Sequence, residues 1–157
     1  MKDYPYDKDS FTALWLQEGK HLGNALAEEN MERIVAYADS FLMVRDKRRA
    51  ESNLQSPQVE AEKSLEWLEG MAKYTEYTSY KMALNMDNTP YTFKEKNAYW
   101  QLEQTQQLKK LGKQSGDQRF YHSGCAMAMI LDKLNPAWRA KIMADGVFLE
   151  DLLREKV

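Results

Sequence analysis

The chain has 157 residues, with 22 basic against 24 acidic side chains and a net charge of −2. That length suits one domain. The near-neutral balance excludes a nonspecific nucleic-acid binder, which needs a basic face to release counterions. One cysteine, Cys125, excludes an intrachain disulfide, and no run of about 20 apolar residues exists to span a bilayer. Helix formers dominate, and Val and Ile together number only eight, too few for a large sheet.

In chain order, Asp9 or Ser10 is positioned to cap a first helix running to about Glu28, with Phe11, Trp15, Leu22, Ala25 and Leu26 at helical spacing. Asn30 caps a second, whose stripe is Met31, Ile34, Ala38, Phe41 and Leu42. It ends in Arg45-Asp46-Lys47-Arg48-Arg49, read as a solvated, cationic helix terminus that complements the helix dipole. Ser56-Pro57, a capping hydroxyl before a first-turn proline, predicts a long third helix from Pro57 to about Asn85. A break is expected over Asp87-Asn88-Thr89-Pro90. The capping-box spacing of Thr92 and Glu95 then opens a fourth helix to about Leu111. After a polar loop over 112–116, Arg119 to Leu134 reads as a buried helix rich in small residues. Asn135-Pro136 starts another that stops near Asp145-Gly146, and Phe148, Leu149, Leu152 and Leu153 mark a last amphipathic turn. The expectation is one all-α domain over 1–157, an irregular bundle of about six helices around one long central helix (57–85).

The common site signatures are missing. The sequence holds no glycine-rich phosphate loop, paired-cysteine zinc pattern or nucleophile elbow, and its only histidines are His21 and His122. Cys125 reads as a small buried thiol rather than a nucleophile paired with His122. The third helix carries the one constellation with chemical promise. At 100° per residue Glu62, Glu66, Glu69 and Glu76 share a narrow stripe with Lys73 and Tyr80, while Leu65, Leu68, Met71, Ala72 and Met82 fall on the other side. The stripe is either a solvated face on which Glu69 pairs with Lys73 at i, i+4, or the wall of a polar cleft.

Within that helix, Trp67-Leu68-Glu69-Gly70-Met71-Ala72-Lys73-Tyr74-Thr75-Glu76 resembles the E-G-(Leu/Met/Phe)-A-x-Tyr segment of gluzincin-type zinc metallopeptidases. The likeness extends through Arg45 to Arg49, Phe120-Tyr121-His122-Ser123-Gly124 and Leu131-Asp132-Lys133-Leu134-Asn135-Pro136-Ala137-Trp138. These segments are similar to the C-terminal helical half of bacterial proteins of that kind. The resemblance implies Glu69 as the third metal ligand and Tyr121 or His122 as the group that stabilises the oxyanion; on the cleft reading of the stripe, Glu62, Glu66 and Glu76 are the cleft-lining carboxylates. It also implies zinc in an intact parent, which would hydrolyse a peptide bond through metal-activated water.

One departure limits that implication. Such a site needs an H-E-x-x-H helix for two imidazoles and a general base, and this sequence has no such motif. The chain alone is therefore expected to be catalytically incomplete. Either it belongs with an upstream segment that bears the motif, or it is a short relative that keeps the scaffold for another purpose. The alternative function is a noncatalytic helical interaction or self-association module. Expected partners are thus the H-E-x-x-H segment or a second copy, with no nucleic acid and no membrane. No export signal is evident, and the compartment is cytoplasmic by default.

Overall fold

The computed structural model describes residues 3–86 and 89–157, and these are all-helical. Met1, Lys2, Asp87 and Asn88, the last two part of the expected break, lie outside the described residues. Helix α1 spans Asp9–Ala27 and α2 spans Met31–Glu51. The short connection over 28–30 folds α2 back on α1, and Asn30 caps α2 as expected, its side chain accepting from the Arg33 amide at 3.1 Å. Asp9 and Ser10 do not cap α1, which begins after Lys8 without a side-chain cap.

Helix α3 is one continuous run of 28 residues over 56–83. It opens with a reach-back bond, the Gln58 side chain accepting from the Gln55 amide at 2.9 Å, and Pro57 sits in its first turn. Its middle is a π-helical turn, Glu66–Gly70, between α-helical Ser56–Leu65 and Met71–Ala83.

Helix α4 spans Tyr91–Leu108 and starts directly behind Pro90 rather than at Thr92. The extended backbone of Pro90 already supplies the non-helical residue a helix start requires. A 3₁₀ turn over Leu111–Lys113 replaces the expected loop. There Gly112 is buried because a Cβ would run into the Thr12 carbonyl of α1. Helix α5 spans Gln118–Leu134, α6 is the short Trp138–Lys141, and α7 is Leu149–Arg154.

α5 is the axis of the bundle. His122, Ser123 and the run from Gly124 to Ala128 are all buried, and the small side chains among them let α3 approach closely. Gly70 of α3 and Gly124 of α5 meet backbone to backbone, so that a Cβ on Gly124 would lie 2.9 Å from Gly70 Cα and 2.9 Å from the Glu66 carbonyl carbon. Around this axis Phe11, Trp15, Phe41, Phe120, Trp138 and Leu153 belong to one continuous core. No helix among the described residues is long and apolar enough to cross a membrane.

Candidate functional site

The arginine cluster at the end of α2 is not solvated. Arg45 and Arg48 are fully buried and Arg49 nearly so, because 45, 48 and 49 continue the inward stripe of Ile34, Ala38, Phe41 and Leu42. Arg45 forks onto both oxygens of Glu66 at 2.6 and 2.8 Å and also reaches Glu18 at 3.1 Å and Glu150 at 3.0 Å. Arg48 donates to Glu18 at 2.5 Å and to Glu62 at 2.6 Å, and its guanidinium lies 4.0 Å over the Trp15 ring. Arg49 spans Glu62 at 2.7 Å and Glu150 at 2.7 and 2.8 Å. Tyr4 donates to Glu62, and Ser123 donates to Glu66 at 2.5 Å. Burial opposes every charge here. The partners outweigh it at Arg45, Arg48, Arg49, Glu62 and Glu150, whereas at Glu66 burial wins and raises the carboxyl. Glu66, Glu18 and Glu150 hold Arg45 well above its ordinary value, and Arg48 and Arg49 hold the Glu62 carboxyl at about 2.

Glu62 and Glu66 therefore do not line a cleft. They are spent on this network at the centre of the fold. The π turn explains the assignment. With 3.6 residues per turn, positions 62, 66, 70 and 74 drift around the helix, but one wider turn realigns them. Glu62, Glu66, Gly70 and Tyr74 consequently all face inward and are buried. The expected inward residues Leu68 and Met82 are instead 57% and 71% exposed.

The same realignment leaves Glu69 half-buried on the flank, beside Tyr121 on the first turns of α5. A hydrogen bond to Glu69 raises the Tyr121 phenol, so the two groups are neighbours. The expected Glu69–Lys73 pair does not form. Lys73 turns to Glu103 of α4 at 3.6 Å, and among the described residues Glu69 has no ion pair. Glu76 is exposed about two turns further on. Beside Tyr121 opens a cleft of about 380 Å³, whose walls include Lys73, Glu103, Gln107 and His122.

His122 has a defined tautomer. The Gln104 amide nitrogen donates to the His122 backbone carbonyl at 2.9 Å, which fixes the amide's orientation. Its oxygen then faces Nδ1 at 2.9 Å, so Nδ1 carries the proton and Nε2 a lone pair. Burial, reinforced by Lys73, lowers the imidazole to about 4, and it is neutral at pH 7. A neutral ring with its only N–H committed accepts at Nε2 and does not donate to an oxyanion. Of the two stabiliser candidates, only the Tyr121 hydroxyl retains the required chemistry. Cys125 is buried and unpaired in the core, where burial raises its thiol.

The remaining motif residues are structural anchors. The Tyr74 hydroxyl donates to Asp132 at 2.8 Å and accepts from Arg139 at 2.6 and 2.9 Å, while Trp138 donates to Asp132 at 2.9 Å and packs edge-on to Tyr74. The tyrosine of the E-G-x-A-x-Y string and the aspartate of Leu131-Asp132 are thus one clamp between α3 and α5. With Gly70 against Gly124, it holds the helix over the turn that follows Glu69. Among the described residues no three His, Cys, Asp or Glu side chains converge to hold a metal. This chain's own donors at the site are therefore one carboxylate and one phenol. No family model, curated protein or solved structure matches the chain.

Proposed function

We propose that this chain is the helical subdomain of a gluzincin-like metallopeptidase-type protein, catalytically incomplete by itself, with Glu69 as the carboxylate ligand of a zinc ion. The observation that carries the reading is Glu69 itself. Three of its neighbours in the carboxylate series are accounted for, two by buried arginines and one by solvent exposure. Glu69 alone is half-buried, without a cationic partner and adjacent to a phenol. Its backbone is clamped at Gly70 and Tyr74, the fixed positioning a metal ligand needs.

A partner segment would bring two imidazoles and a general base. Zinc bound there would lower the pKa of its water toward neutrality. This chain's share is narrower. Glu69 would hold one position on the ion, and Tyr121, freed from Glu69 when the carboxylate turns to the metal, would donate to the developing oxyanion. The test is to identify an H-E-x-x-H segment encoded in frame upstream or in an adjacent gene and to combine it with this chain. The reading expects a stable complex with about one zinc and hydrolysis of a peptide bond. Absence of any such segment, or a complex without zinc, overturns it.

A noncatalytic interaction module is the second reading. It is favoured by the exposure of Met82, Tyr91, Tyr99 and Leu102 along α3 and α4.

A further inference from the structure

The outer face of α3 has the pattern of a helix-packing seam. Leu68, Ala72, Thr75, Ser79 and Met82 follow one another at intervals of four, three, four and three, the spacing at which side chains of one helix seat between those of a second. All five are exposed, while Gly70, Tyr74 and Tyr77 on the opposite side are buried against this chain's own helices. The seam is large at its ends and small in the middle, which permits a close crossing. Its two hydroxyls are turned away from any partner. Thr75 donates back to the Met71 carbonyl and Ser79 to the Thr75 carbonyl, each at 2.8 Å, so the face presents carbon.

The charges along the seam say what covers it. Glu69 and Glu76, seven residues apart, flank the same edge, and neither forms an ion pair among the described residues. On α3 the cation between the two glutamates, Lys73, is committed to Glu103. The opposite edge, Met71 and Thr78, is uncharged. A second copy cannot neutralise this arrangement. Packed antiparallel, the seam brings Glu76 against its own counterpart, and packed parallel it sets both glutamates against Met71 and Thr78.

We infer that this face docks an amphipathic helix of a different polypeptide segment. That helix carries small and aliphatic residues along its own seam and cationic side chains seven residues apart, which meet Glu69 and Glu76. The inference needs no metal and no catalysis; at Glu69 it is an alternative to the metallopeptidase reading, since one carboxylate cannot both hold a zinc ion and pair with a lysine.

Two synthetic helical peptides of three heptads test it, identical in their Ala/Leu seam and differing only in Lys or Glu at the flanking positions. Fluorescence anisotropy against the full chain is expected to show saturable binding of the lysine peptide, about tenfold tighter than the glutamate peptide. Ser79→Arg should abolish that binding, and the double variant Glu69→Lys/Glu76→Lys should invert the preference. Circular dichroism verifies that helicity is kept in both variants. Equal affinity for the two peptides, no binding up to about 1 mM, or indifference to Ser79→Arg overturns the inference. So does a concentration-dependent dimer that Ser79→Arg dissociates, since that result assigns the seam to a second copy.

Discussion

Replacing Arg48 with methionine tests the buried network that organises the fold. The guanidinium is fully buried and donates to Glu18 at 2.5 Å and to Glu62 at 2.6 and 3.2 Å, with Tyr4 and the Phe11 and Trp15 rings closing around it. Methionine fills much of the volume but leaves Glu18 with Arg45 alone and Glu62 with Arg49 alone among its cations. Removing one partner of a buried ion pair costs about 3–5 kcal/mol, because the stranded carboxylates keep their desolvation penalty. For a chain of this length each kcal/mol lowers Tm by roughly 2–4 °C, so a loss of ~4 kcal/mol corresponds to ~8–16 °C. Thermal melts followed by circular dichroism, with urea titrations to show that the slope is unchanged, measure it. A variant melting within about 2 °C of the parent would refute the reasoning, because Arg48 would then contribute no more than an exposed cation does.

Three further outcomes follow from other parts of the structure. Gly124→Ala should destabilise by about 3 kcal/mol in the same melts, at the upper end of overpacking, because the new methyl meets the Glu66 carbonyl and the Gly70 backbone rather than a side chain that can move aside. Stability should be level from the ordinary histidine range to about pH 8, above which the raised Cys125 thiol begins to remove it, and should decline in two stages as pH falls. His122, held at about 4 against an unfolded value near 6.5, removes stability between those values, and Glu62, depressed to about 2, removes more between about 4.5 and 2. Glu150 is depressed in the same sense, while Glu66, whose burial opposes its ionisation, offsets part of the loss. Melts at stepped pH measure the profile, and a maximum below pH 4 would contradict it. Nitrogen-15 NMR of the His122 ring at pH 7 should show a protonated Nδ1 and an unprotonated Nε2, and Gln104→Leu should mix the tautomers.

The helices were legible in the sequence because their signals are local. Asn30, Pro57 and the 3.6-residue periodicity of α1, α2 and α5 act within one turn, and those elements appear close to where they were expected. The inward face of α3 was not legible, since a uniform 100° step cannot represent a π turn, and nothing local in Glu66–Gly70 announces one. The buried ion network was hidden for a different reason. Arg45, Arg48 and Arg49, Glu18 and Glu150 each sit in register with an apolar stripe, and that register was the available signal. Reading charge as exposure discarded it. At the candidate site the family resemblance singled out Glu69 and Tyr121 or His122, but no local signal announced that the Glu69 carboxylate and the Tyr121 phenol are neighbours. The commitment of Lys73 to Glu103 and the locked tautomer of His122 depend on α4, which lies 18 residues away along the chain from His122 and was invisible to motif reading.

The account rests on Glu69 being the carboxylate this chain holds ready for a metal supplied with outside ligands. Zinc content of the complex with an H-E-x-x-H segment, measured by elemental analysis for the parent and for Glu69→Gln and Glu76→Gln, tests this most directly. The account predicts about one zinc per complex in the parent and in Glu76→Gln, and a loss of at least about tenfold in zinc affinity in Glu69→Gln. Full zinc retention by Glu69→Gln at chelator concentrations that leave the parent loaded would contradict it.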